Sequence, residues 1–202
     1  MKRSIGLVVC VLLAGLFHAS CATRQEIRGQ EVKGLDRKLS TFAYEEEGEI
    51  ITLIVDTWSA RDRDPQAYMP LEIAVANTGV RSLTLSRESF TLIDSDGNRY
   101  PMASPRELIE GYEFLDFDRN LAELEGIVFN KFSAFRRYIS NFSPVRGTGR
   151  VIVDKTHVPK FGYIIDFIYF PRPVTGILNQ KFELFLDAPQ LEDPVFVRFE
   201  VK

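Results

Sequence analysis

A hydrolytic site needs a nucleophile, a base and a group that orients the base. The only histidine after residue 18 of this 202-residue chain is His157. A serine triad would have to use it, with Asp154 or Asp166 orienting the ring. No serine stands in a nucleophile-elbow context, and a lone histidine between apolar runs is expected to be a surface loop residue. One imidazole is also a poor start for zinc, which takes three or four nitrogen or sulfur ligands. Asp94, Asp96 and Asn98 have the spacing of a calcium loop. Such a loop needs glycine sixth and a carboxylate twelfth, but Arg99 and Pro105 stand there. Asp96-Gly97 predicts a hairpin turn instead. Asp166 sits in GYIIDFIYFP, with apolar residues on both sides. A carboxylate buried there costs several kcal/mol unless paired, so it is either a tuned acid or half of an ion pair with Arg150 or Arg172; the pair is expected. No catalytic residue, metal ligand or cofactor is expected.

The most informative reactive residue is Cys21. Lys2 and Arg3 open the chain, and an apolar run of thirteen residues, Ile5 to Phe17, follows. As a helix it is about 20 Å long, short of the roughly twenty residues that a bilayer core requires. A charged start, a short apolar run and then small residues indicate a secretory leader, residues 1–20. The string LFHASC then resembles the lipobox of bacterial lipoproteins. Ala19 and Ser20 match that pattern, whereas His18 replaces the usual aliphatic residue. The resemblance implies cleavage before Cys21, acylation of its sulfur with palmitate-type chains, and membrane attachment; Ala22 after the cysteine leans towards the outer membrane, facing the periplasm. The only other cysteine is Cys10, inside the leader. The processed chain then has no cysteine pair for a disulfide or a zinc site.

The net charge is −3, and −5 once Lys2 and Arg3 leave with the leader, which gives no general attraction to nucleic acid. The charge is nonetheless uneven. Residues 94–125 hold nine acidic and three basic side chains, and residues 126–172 hold eight basic and two acidic. Either the two blocks pair across the fold, or the basic one meets lipid headgroups or an acidic envelope polymer. Phe129, Arg136, Arg137, Arg146 and Arg150 form the candidate interaction surface. Residues 21–42 are polar and aperiodic, and are expected to be a tether carrying the lipid.

From residue 43 to 202 the dominant period is two. Leu71, Ile73 and Val75 share one strand face, as do Phe182, Leu184 and Leu186, and Val195, Val197, Phe199 and Val201. Further strands are expected at Glu49–Trp58, Arg81–Leu85, Ser89–Ile93, Arg150–Asp154 and Phe161–Phe170. About eight short strands between Gly, Pro and Asn turns predict a mainly β, antiparallel sandwich. The segment LEIAVANTGVRSLTLSRESFTLIDSDGNRYP is similar to Ig-like domains of the bacterial envelope, which implies that fold but no particular function.

Residues 105–143 break the pattern. Leu121, Leu124, Val128, Phe132, Phe135, Ile139 and Phe142 recur at steps of three and four, predicting a helix from Asn120 to Asn141. Asn120 and Glu123 would cap it. A shorter helix, Pro105–Leu115, would precede it. Leu124, Val128, Phe135 and Ile139 are expected to pack on the sheet, with Glu125, Arg136 and Arg137 outside. The preferred expectation is a non-catalytic envelope module with a protein partner. A lipid- or glycan-binding protein, and more remotely an envelope hydrolase, are the alternatives.

Overall fold

The computed structural model describes residues 30–31, 43–145 and 151–202. Cys21, the leader, residues 32–42, Arg146 and Arg150 lie outside the described residues.

The mainly β expectation holds. One sheet has six strands in the order β1 (Gln30–Glu31), β2 (Ala43–Glu47), β3 (Ile51–Asp56), β4 (Tyr68–Asn77), β10 (Gly162–Pro171) and β8 (Arg136–Arg137). Four others, β12 (Val195–Glu200), β11 (Lys181–Leu186), β6 (Phe90–Asp94) and β7 (Arg99–Pro101), make the opposing sheet. A two-stranded ladder of β5 (Ser82–Ser86) and β9 (Lys155–Pro159) completes the β structure. Every pairing is antiparallel except the short one between β8 and β10.

Alternation assigns the faces. Leu53, Leu71, Ile73, Val75, Leu92, Phe182, Leu184, Val197 and Phe199 belong to one buried cluster between the two large sheets. The seven strand residues expected in the core (Leu71, Ile73, Val75, Phe182, Leu184, Val197 and Phe199) are all buried. Tyr44 ties the layers at one edge, its hydroxyl donating to the Glu200 carbonyl at 2.7 Å.

The other face of the six-stranded sheet is covered by helices. A short α1 (Trp58–Arg61) follows β3, and α2 (Pro105–Gly111), α3 (Leu115–Arg119) and α4 (Leu124–Lys131) form the cover. Ser104 starts α2 with a capping box: its hydroxyl accepts from Glu107 N, and the Glu107 carboxylate accepts from Ser104 N. Leu108, Tyr112 and Leu115 pack on Phe167 and Tyr169 of β10, while Leu124, Val128 and Phe132 pack on Ile54, Ala74, Ala76 and Tyr163. This second layer is why GYIIDFIYFP is apolar on both faces.

Five local expectations fail. The long helix ends at Lys131, and β8 occupies part of its expected range. Arg136 N donates to Phe161 O and Tyr138 N to Tyr163 O, so the open edge of β10 recruits this segment against its helical period. Ile139 is consequently 78% exposed rather than packed, and Phe142 enters the sandwich core beside Phe90. Asn120 closes α3 instead of capping α4, whose own start has no side-chain cap. The strand expected at Arg150–Asp154 forms later, at Lys155–Pro159, because it pairs with Ser82–Ser86. His157 therefore lies in a strand, not a loop.

Candidate functional site

Two groupings of polar residues emerge: a buried seam beneath the helices and a turn cluster at one end of the sandwich. The seam begins with parity. Asp56 and Glu72 lie opposite each other on β3 and β4, both on the helix-covered face and both buried. Asp56 accepts from Trp58 N at 2.7 Å. The Glu72 carboxylate accepts from Glu123 N at 2.8 Å and Leu124 N at 3.1 Å, at the start of α4. A carboxylate there meets the unpaired N–H groups and positive end of the helix. Glu72 thus does from a neighbouring strand what Asn120 was expected to do locally. Burial raises its pKa to about 7; the two N–H donors oppose that rise and the Asp56 charge adds to it.

Asp118 on α3 is fully buried and accepts from Arg63 Nε at 2.7 Å and from the Tyr112 hydroxyl at 2.6 Å. Burial raises its pKa, and these two partners hold it down. The Arg63 guanidinium also lies 4.7 Å from the Phe114 ring centroid. Tyr112 and Tyr169 meet edge to face at 5.5 Å, and burial pushes both phenols up.

Asp166 has core-facing parity between Ile164 and Ile168, at the margin where β8 no longer flanks β10. Its carboxylate accepts from Phe142 N at 3.0 Å and from Phe167 N at 2.9 Å. Among the described residues its cation is Arg119, at 3.8 Å, and not the expected Arg172; the expected Arg150 lies outside them. Arg172 instead pairs with Asp64 at 3.0 Å. Burial lifts Asp166 to about 6 against its N–H donors and Arg119.

Every seam carboxylate already receives hydrogen bonds from the chain that folds over it. The seam clamps the helical layer to the sheet; among the described residues no nucleophile–base pair joins it. His157 Nδ1 lies 3.1 Å from Thr84 Oγ1 on the neighbouring strand. Asp94 closes the β6–β7 hairpin by accepting from Asp96 N, Asn98 N, Asn98 Nδ2 and the Tyr100 hydroxyl. The Asp94 carboxylate is thus spent on the turn.

Of the expected interaction surface, Phe129 is 64% exposed and Arg136 and Arg137 are exposed, while Arg146 and Arg150 lie outside the described residues. Arg137 pairs with Glu125, so one link between the charge blocks forms; Arg119–Asp166 is another. Lys131 turns away from that scheme to Glu45 and Glu47 on β2.

The turn cluster was not anticipated. Buried Asn77 organises it: its Nδ2 donates to Val80 O at 2.9 Å and Val158 O at 2.8 Å, its Oδ1 accepts from Val80 N, and its carbonyl accepts from Phe161 N. Thr78 N and Gly79 N both donate to Ile50 O, and Lys160 N donates to Arg81 O. The Ile50 Cα would lie 2.8 Å from a Cβ at position 79, which restricts that position to glycine. The turns β2–β3, β4–β5 and β9–β10 are therefore bound into one rigid tip.

Two solved structures from Bacillus subtilis are similar to this chain. One is the ycdA protein, described as a "putative lipoprotein", at 13% identity and TM-score 0.41, over 77% of this chain and 38% of its own. The chain therefore spans about two fifths of that protein. The other is the yjhA protein, at 9% identity and TM-score 0.41, over 77% of this chain and 96% of its own. No family model and no curated protein matches the chain.

Proposed function

We propose that this protein is a non-catalytic module of the bacterial envelope, attached through a lipid on Cys21 and presenting its Ig-like sandwich to a protein partner. The observation that carries this reading is the commitment of the buried carboxylates. Glu72 holds the start of α4, Asp118 holds Arg63 and Tyr112, and Asp166 holds Phe142 N. Groups that a hydrolase would turn towards a substrate are here turned towards the chain itself. Outer-membrane attachment facing the periplasm is part of the proposal and rests on the residues around Cys21.

Fractionation and crosslinking in a bacterial host test it together. The wild type is expected in the membrane fraction, with acyl mass on Cys21 and one reproducible crosslinked protein adduct. Cys21→Ser is expected to leave the membrane fraction, and His157→Ala to keep the adduct. Absence of acyl mass removes the anchor, and absence of any specific adduct from abundant protein removes the partner.

A further inference from the structure

The turn cluster carries a feature that folding alone does not require. Phe161 takes a φ of +62°, a left-handed conformation that suits glycine or asparagine and is unusual for a bulky residue. Its ring does not recover the strain by burial, being 53% exposed. It leans edge-on against half-buried Phe135 at 5.4 Å, and exposed Ile50 lies on the adjoining turn. Arg81, Arg136 and Lys160 surround these apolar groups, all exposed and without an ion pair among the described residues. The Lys160 ammonium lies 5.3 Å from the Phe161 centroid, and the Arg136 guanidinium 5.5 Å from that of Tyr138. By contrast, Lys131 is shared between Glu45 and Glu47 near this end, and Arg137 pairs with Glu125. Glu49, exposed, and Glu46, half-buried on β2, are the acids near this end outside those pairs.

We infer that this tip, with Phe161 at its apex, seats on the anionic headgroup surface of the membrane that carries the anchor. The inference rests on the lipid-anchor reading of Cys21. Apolar rings ringed by cations are the chemistry of an interfacial contact with anionic lipid. Chain direction supplies the second argument. β1 runs antiparallel to β2, with Gln30 opposite Glu45 and Glu31 opposite Tyr44, so the N-terminal end of β1 points towards the β2–β3 turn at the tip. Gln30 follows Cys21 by nine positions, a reach of at most about 30 Å. A lipid on Cys21 therefore holds the bilayer within reach of the tip, at an effective concentration that makes a weak contact sufficient.

Sedimentation with vesicles tests the tip without the anchor. The probe is the chain from residue 21 onward carrying Cys21→Ser. It is offered vesicles of phosphatidylethanolamine with phosphatidylglycerol, or of neutral phosphatidylcholine. Preferential binding to the anionic vesicles, weakened by salt, is expected. Phe161→Asn should lower it about tenfold, roughly the effect of losing one interfacial aromatic group, while leaving the melting midpoint unchanged or higher because the turn is relieved. The triple change Arg81→Glu, Arg136→Glu, Lys160→Glu should abolish the preference. Equal binding by the parent and Phe161→Asn overturns the inference, whether or not wild-type Cys21 proves acylated. Retention on an anionic polysaccharide without vesicle binding overturns the membrane as occupant.

Discussion

The two large sheets treat their outward faces differently. On the four-stranded sheet, β11 and β12 bury every second residue, and the outward Phe185 and Phe196 merely stack on each other at 4.9 Å while half exposed. On the six-stranded sheet, β4 and β10 are buried on both faces because α2, α3 and α4 lie across them. One strand surface faces water and needs no partners for its polar groups. The other is dry, so each polar group on it must find a donor or a counter-charge. The seam of Asp56, Glu72 and Asp118 is the consequence of that second layer, whereas Asp166, on the core-facing side of β10, is held by Phe142 N and Arg119.

The comparison can be sharpened first in the core that both sheets share. Phe182→Ala should cost about 3–5 kcal/mol in chemical denaturation, because the ring is fully enclosed and leaves a cavity. Phe185→Ala, three positions along on the outward face, should cost much less. Equal losses would mean that the outward face is also covered.

The seam should show a different signature. Asp118→Ala strands the Arg63 guanidinium, whose side chain is only 11% exposed, at a cost of about 3 kcal/mol. The triple change Arg63→Met, Tyr112→Phe, Asp118→Leu should recover most of that loss, since it removes both charges together with the Tyr112 hydroxyl that Asp118 accepts from. A triple variant no better than the single one would break the reading of the seam as a paired clamp.

A smaller effect separates the sheets by pH. Burial raises the pKa of Glu72 to about 7 and of Asp166 to about 6. The folded chain therefore holds these protons more tightly than the unfolded chain. Stability is full below the ordinary carboxylate range and falls as pH rises through about 7. Thermal melts should show a higher midpoint at pH 5 than at pH 8. Glu72→Gln should flatten that slope, since the amide oxygen still accepts from Glu123 N and Leu124 N without a charge to bury. A midpoint that rises with pH would overturn the assignment.

Alternation by itself determined the sandwich core. Period two is a local property of an extended chain, so Leu71, Ile73, Phe182 and Val197 could be assigned a common face before any partner strand was known. The two-sided apolarity around Asp166 likewise announced a second layer over β10. Helical period did not determine where the helix ends. Residues 132–141 keep the spacing of a helix, yet the unpaired edge of β10 offers hydrogen bonds to Arg136 and Tyr138, and the segment takes them. Glu72 reads as an outward, solvated residue until the helices that cover it are placed, and Asp118 and Arg63 lie 55 positions apart. The turn cluster is equally silent in the chain, because Ile50, Asn77, Arg81 and Phe161 meet only when four separate strands end together. Tertiary structure decided the partners of Glu72, Arg63 and Asp166. A charge interacts through space and not along the chain, and only the path of the fold decides what lies beside it.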